Sequence, residues 1–201
     1  MNTRTERADQ SSVRRTQILA IAARLIASQG YSATTVRDIA DEAGILSGSL
    51  YHHFSSKEAI LEEILRSFMD GLLARFEEIA SAGTSPRETF DALVQHSFLT
   101  IEREPDAVGL YQNESAFLAT QPGFEFLQEK SSRIEALWMT VLREGQAAGA
   151  FRGSMDVGVV YRFLRDSLWS TVRWFRPGGR HTAESVSGHY LDLFHNGLLA
   201  D

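Results

Sequence analysis

The stretch TVRDIADEAGILSGSLYHHFSSKEAILEEIL, Thr35–Leu65, decides the fold. Thr35, followed three residues later by Asp38, is a capping-box-like helix start, in which short polar side chains satisfy the free N–H groups of the first turn. Val36, Ile39, Ala40 and Ala43 give that helix an apolar face, and Gly44 ends it. A second short helix is expected over Ser47 to Phe54. Ser55 with Glu58 is expected to cap a long third one, whose buried stripe is Ile60, Leu61, Ile64, Leu65, Phe68, Leu72 and Phe76. A pair of short helices makes a helix-turn-helix when three demands are met. A small residue must sit at the crossing (Ala40), a residue tolerant of positive φ in the turn (Gly44), and an apolar residue must pack back onto the first helix (Leu50, helped by Ile45 and Phe54). All three stand at the right intervals. The second helix of such a unit lies in the DNA major groove with its N-terminal side chains at the base edges.

Outward from this stretch the helical pattern continues. Before it, Ile18, Leu19, Ala22, Leu25 and Ile26 recur at helical spacing from about Ser12 and stop at Gly30. After it, breakers at Ser85-Pro86, Glu104-Pro105, Gln121-Pro122, Ala148-Gly149 and Pro177-Gly178-Gly179 delimit helices at about 86–103, 106–119, 123–147, 156–176 and 183–199. No strand alternation exceeds four residues and no internal repeat is visible. The expected fold is all-α with about nine helices. Residues 1–57 form a helix-turn-helix domain with a polar N-terminal tail, and residues 58–201 form a larger helical body.

Charge is distributed to match. Residues 1–57 hold seven Lys/Arg (Arg4, Arg7, Arg14, Arg15, Arg24, Arg37, Lys57) against five Asp/Glu, a net +2. Residues 58–201 hold thirteen against twenty-one, a net −8. A mildly basic head on an acidic body is the asymmetry expected if only the head meets a polyanion. The chain has no cysteine, which excludes disulfides, thiolate zinc sites and cysteine nucleophiles. No apolar run approaches the ~20 residues that span a bilayer, and the polar N-terminus lacks the apolar core of a secretory signal. A cytoplasmic protein without cofactor and without membrane contact is expected.

The quoted residues resemble the DNA-binding signature of TetR-type bacterial transcriptional repressors. In that family an initial helix ends in Gly-Tyr/Phe (here Gly30-Tyr31), a Thr-capped helix follows, a recognition helix carries Leu-Tyr-x-His/Tyr-Phe, and a Lys-Glu-x-Leu-like run opens helix 4. The likeness covers about residues 14–65. It implies a homodimer of about nine helices per chain, bound to a double-stranded DNA operator and released by a small molecule in the C-terminal body. It places Ser47, Gly48, Ser49, Tyr51, His52 and His53 on the recognition-helix surface, and Thr35, Arg37 and Lys57 at phosphates. Hydroxyls, imidazoles and an ammonium suit those roles. The helix lacks the Arg, Asn or Gln that read bases bidentately. Base preference therefore rests on Tyr51, the histidines, an arginine-bearing tail in the minor groove, and DNA shape.

Other readings of the same residues are weaker. His52 and His53 point about 100° apart on a helix, and no carboxylate stands at i±3 or i±4 of His53 to complete a metal site. Ser49 and His53 lie at i, i+4, but a serine hydrolase needs a third orienting group and an oxyanion loop. A purely structural helix pair accounts for the spacing but not for the match on both flanks.

In the body, VGVVYRFLRDSLWSTVRWFRPGG, Val157–Gly179, sets Arg165, Trp169 and Arg173 four residues apart on one helical face, with Arg162 and Arg176 flanking. One reading pairs these arginines with acidic neighbours such as Asp166 or Glu114 at a dimer seam, with Trp169 in the core. The other is a pocket in which guanidiniums hold an anionic group and Trp169 stacks on an apolar part. SGSLYHHF, LYQNE, the ATQP turn and the VYRFLRD…W…VRWFRPGG run resemble the actinobacterial TetR-type repressors of late cholesterol (ring) catabolism. That likeness implies release by a CoA thioester of a ring-degradation intermediate, with Arg165, Trp169 and Arg173 facing it and Tyr111, Phe117, Trp138 and Phe98 lining the cavity. A stripe of Val186, Tyr190, Leu193, Phe194 and Leu198 on the last helix is expected to build the dimer. Two alternatives remain. One is a TetR-type regulator of efflux or other metabolism with an unrelated apolar ligand. The other is a helical enzyme acting on acyl-CoA, which the scattered Glu114, His96 and Asp166 do not favour; catalysis is not expected.

Overall fold

Ile18, Ala22 and Ile26 form the buried side of α1 (Thr3–Gln29) in the computed structural model, which describes the backbone of residues 3–196 and the side chains of residues 12–196. The helix expected from about Ser12 thus begins at Thr3. The side chains of Arg4 and Arg7, on which a minor-groove tail would depend, lie outside the described residues. Helix α2 (Val36–Glu42) starts at Thr35, whose hydroxyl accepts the Asp38 N–H at 3.1 Å while the Asp38 carboxylate accepts the Thr35 N–H at 2.8 Å. The chain leaves α2 through Gly44, at φ 65°. The Gly44 N–H donates to the Asp41 carbonyl and the Ile45 N–H to the Ala40 carbonyl, which closes the helix end.

Helix α3 (Ser47–Leu50) is shorter than the Ser47–Phe54 expected. The His52 and His53 N–H groups donate to Ser49 and Leu50, a tighter i→i−3 winding that brings Phe54 back into the core. Leu50, Ile39 and Ala40 are fully buried where α2 and α3 cross, each large side chain contributing about 1.5–3 kcal/mol by burial. Helix α4 (Lys57–Ala80) is capped by Ser56, one residue later than expected, its hydroxyl accepting the Ala59 N–H at 3.2 Å. Glu58 is engaged by Tyr31 instead.

The body comprises α5 (Pro86–Arg103), α6 (Pro105–Leu118), α7 (Glu125–Ala147), α8 (Val157–Trp169) and α9 (Ala183–Asn196). Among the described residues there are nine α-helices and no strand, and no helix is long and apolar enough to cross a membrane. Helix α4 runs from the helix-turn-helix into the body, where it packs on α7; α6 reaches back to pack on α1; α5 packs on α9. An aromatic cluster of Phe76, Phe90 and Trp138 sits at the centre, with Trp138 edge-on to both phenyl rings at 5.8 Å.

One expectation about the last helices is corrected. The helix expected over 156–176 ends at Trp169 and continues as a 3-10 turn, Ser170–Arg173. The Ser170 and Thr171 hydroxyls both donate to the Ser167 carbonyl at 3.2 Å, competing with the helical ladder there. On the α9 stripe, Val186, Tyr190 and Phe194 are partly buried and pack against the chain's own core. Tyr190 stacks on Phe194 at 4.7 Å and meets Phe98 edge-on, while Leu193 remains 44% exposed. Leu198 lies outside the described residues.

Candidate DNA-reading head and ligand cavity

The head presents its polar groups where α3 begins. Gly48, Tyr51 and His52 are exposed, Ser47, Ser49 and His53 partly so, and Tyr51 is 55% exposed. Arg37 is exposed beside Asp41, 3.6 Å away, free to turn outward. Thr35 is exposed, but its hydroxyl is committed to Asp38, donating at 2.7 Å to a carboxylate that this bonding holds below the usual range.

Lys57, expected at a phosphate, is held inward. Its ammonium donates to the carbonyls of Tyr31 and Thr34, both at 2.8 Å, and lies 4.0 Å from the centre of the Tyr31 ring. Two of its three donors are therefore spent on the turn between α1 and α2. The Tyr31 hydroxyl donates to Glu58 at 2.6 Å. Partial burial, reinforced by that carboxylate, pushes the phenol well above its usual range, while the same bond lowers Glu58.

The arginines of α1, which read as part of a basic surface, also serve the fold. Arg15 donates to the His53 carbonyl and to both oxygens of Glu63, its guanidinium 4.1 Å from the Phe54 ring centre. Arg14 donates to the Ala43 carbonyl at 2.7 Å. Both clamp the ends of α2 and α3.

In the body, α4, α6, α7 and α8 enclose a cavity of about 120 Å3. Tyr161, Arg165 and Trp169 line it from α8, Tyr111 and Gln112 from α6, and Phe68 from α4. The row along α8 is thus shifted by one turn from the expected one. Arg173, carried off the helical register by the 3-10 turn, is exposed and absent from the wall. Tyr161 stands at i−4 from Arg165, a signal present in the sequence. Arg165 donates to Asp166 at 2.8 Å, the acidic pairing one reading foresaw, yet half of its side chain stays exposed at the cavity rim. Burial pushes the Tyr161 phenol up to about 12, so it is a neutral hydroxyl at physiological pH. Tyr111 shares a hydrogen bond with Ser131 at 2.7 Å.

Three expected lining residues fall elsewhere. Trp138 and Phe98 are 2% exposed within the aromatic core, and Phe117 is 56% exposed on the far side of α6. Glu114 meets the head rather than an arginine, accepting the Tyr31 backbone N–H at 3.0 Å. His96 is partly buried near Thr100, so Glu114, His96 and Asp166 each have separate partners. A second, larger cavity of about 280 Å3 lies between α5, α7, α8 and α9. It is lined mainly by apolar groups including Phe90, Phe151 and Phe163, with His195 paired to Asp91 at 2.7 Å on its wall.

Residues 18–64 match the family model for bacterial regulatory proteins of the tetR family, and residues 83–198 match that for the tetracyclin repressor-like C-terminal domain. The HTH-type transcriptional repressor KstR2 of Rhodococcus jostii is 49% identical over 93% of this chain and 92% of its own length. The solved structure of the ketosteroid transcriptional regulator KstR2 of Mycobacterium tuberculosis superposes with a TM-score of 0.89 at 45% identity, covering 94% of this chain and 96% of that one. AibR, solved in complex with isovaleryl coenzyme A and operator DNA, superposes with a TM-score of 0.79 at 25% identity over 90% of this chain and 97% of that one.

Proposed function

The chain belongs to the TetR family of bacterial regulatory proteins, and we propose that it is a repressor released from a palindromic operator by an acyl-CoA thioester of sterol degradation. Residues 1–57 read the DNA, and residues 58–201 bind the ligand and a second copy of the chain. The likeness to KstR2, named a ketosteroid regulator, supports the steroid part, and AibR with its isovaleryl coenzyme A supports the thioester.

The observation that carries the reading is the wall of the smaller cavity. Tyr161, Arg165 and Trp169 supply a hydroxyl, a half-exposed guanidinium and an indole in one row. A guanidinium at the rim suits an anionic ligand, and an aromatic interior suits fused rings. At about 120 Å3 the cavity is smaller than the roughly 300–1,000 Å3 of typical ligand pockets. Entry of a polycyclic acyl group therefore parts α6 and α4 from α8. Both of those helices reach the head, α6 through Glu114 and α4 through Lys57 and Glu58. A ligand that binds only the parted state shifts the population toward it.

Val159 and Phe163 on α8, with Leu193 on α9, are exposed apolar groups that a second copy would cover. A two-fold dimer sets its two α3 elements about 34–36 Å apart, one turn of DNA, and parting the helices changes that spacing. The larger apolar cavity favours a second reading, a regulator answering to an unrelated apolar ligand. Native mass spectrometry separates the two. The thioester reading expects a complex with a steroid-derived acyl-CoA that the free acid does not displace. Equal retention of acid and thioester would leave the second reading.

A further inference from the structure

Leu46 is the most exposed large apolar side chain among the described residues, at 79%. It stands at the N-cap of α3, with extended backbone and no side-chain cap. Four other helices of this chain have a capping hydroxyl or carboxylate, from Thr35, Ser56, Ser85 and Asp156. A leucine here forgoes that cap and leaves an isobutyl group in water, so stability does not explain it.

A second departure lies two residues on. Gly48 sits inside α3 without positive φ, and a Cβ added there would meet nothing within 4 Å. Neither backbone conformation nor internal packing calls for glycine, which is a poor helix former. What a bare backbone does permit is close approach by another molecule. The first residues of α3 thus combine a protruding apolar group with a recessed one, beside the hydroxyls of Ser47 and Ser49.

We propose that Leu46 reads the C5-methyl group of a thymine in each operator half-site, with Gly48 letting the α3 backbone close on the groove. This rests on the operator-binding reading above. In the major groove the thymine methyl is the apolar group that distinguishes one base from the others, and an isobutyl side chain has no other means of discrimination there. It adds an apolar base contact to a recognition element that lacks the Arg, Asn or Gln that read bases bidentately.

The test uses the full-length chain and an operator selected by it from a random duplex library. Each thymidine is then replaced singly by deoxyuridine, which removes the methyl and keeps the pairing. One position per half-site is expected to lose about fourfold in affinity, the worth of burying one methyl-sized group. In Leu46→Ser that position is expected to become insensitive, while Tm stays equal or rises because serine restores the cap. A flat deoxyuridine scan on a duplex that binds overturns the inference alone, as does Leu46→Ser retaining the position-specific loss. Failure of the library to enrich any sequence removes the operator-binding reading and this inference with it.

Discussion

The carboxylate of Glu114, on α6, accepts the backbone N–H of Tyr31 at 3.0 Å across 83 residues of sequence. It joins the helix that carries the cavity residues Tyr111 and Gln112 to the turn that holds Lys57 and Glu58. A movement of α6 is therefore felt at the base of the reading head.

Glu114→Ala removes this link without touching either cavity or DNA. Operator affinity without ligand is expected to stay within about threefold of wild type, while the ratio of affinities with and without inducer falls at least about fivefold, from the 5–150-fold typical of coupled sites. Anisotropy of a labelled operator measures both. Glu114→Gln, which keeps an acceptor oxygen, should retain most of the coupling. An unchanged ratio in Glu114→Ala places the coupling in α4 alone.

Lys57 should behave as an anchor of the head. Lys57→Met leaves the Tyr31 and Thr34 carbonyls without this donor, at up to about 1–3 kcal/mol for the buried Thr34 and less for the half-buried Tyr31. A fall in Tm is expected in thermal unfolding. The slope of log affinity against log salt should change by less than about one unit, the loss that removal of a phosphate contact produces. A full unit of slope at unchanged Tm would return Lys57 to the phosphate.

Arg15 positions the recognition element from behind. Arg15→Ala frees the turn after α3 at His53 and strips the Phe54 ring of its cation. Operator binding is expected to weaken at least about tenfold with a lower Tm. Arg15→Lys should not rescue it, because a compact ammonium cannot reproduce the planar fork that pairs both Glu63 oxygens while a third N–H reaches the His53 carbonyl. Wild-type binding by the lysine variant would contradict this.

The Tyr31–Glu58 bond gives the head a pH window. Glu58 is lowered in the fold, so its contribution is present above the ordinary carboxylate value of 4.5 and is lost as pH falls through the folded value. Tyr31 is raised, so its contribution is complete below 10.0 and is lost only as pH rises through the higher folded value. Thermal unfolding of Tyr31→Phe should show its deficit on the plateau between these limits, and the deficit should shrink as pH falls below 4.5. A constant deficit at all pH values would mean that the hydroxyl contributes through packing alone.

The head was legible in the sequence because its signals are local. Thr35 and Asp38 meet within one turn, and Gly44 marks a backbone conformation that few other residues adopt. Breakers at Pro86 and Pro105 set helix starts for the same reason. The cavity was legible only in part. Arg165, Trp169 and Tyr111 line it, but Trp138 and Phe98 carry the same apolar signature and lie in the core. Which aromatic group faces a void is decided by how four helices close, which spacing along one helix does not encode. Arg173 left the row where α8 tightens into the 3-10 turn Ser170–Arg173, at which two hydroxyls bond the Ser167 carbonyl. The roles of Lys57 and Glu114 rest on contacts with Tyr31, distant in sequence from both, for which a single chain offers no pattern.

Release of the operator complex by a polycyclic acyl-CoA, followed by anisotropy in wild type and in Arg165→Ala and Trp169→Ala, shows whether the α8 row of the smaller cavity holds the inducer. The thioester is expected to free the operator from wild type while the free acid and coenzyme A alone do not. Both variants should bind the operator as wild type does and need at least about tenfold more thioester to let go. Release of either variant at the wild-type concentration would contradict this.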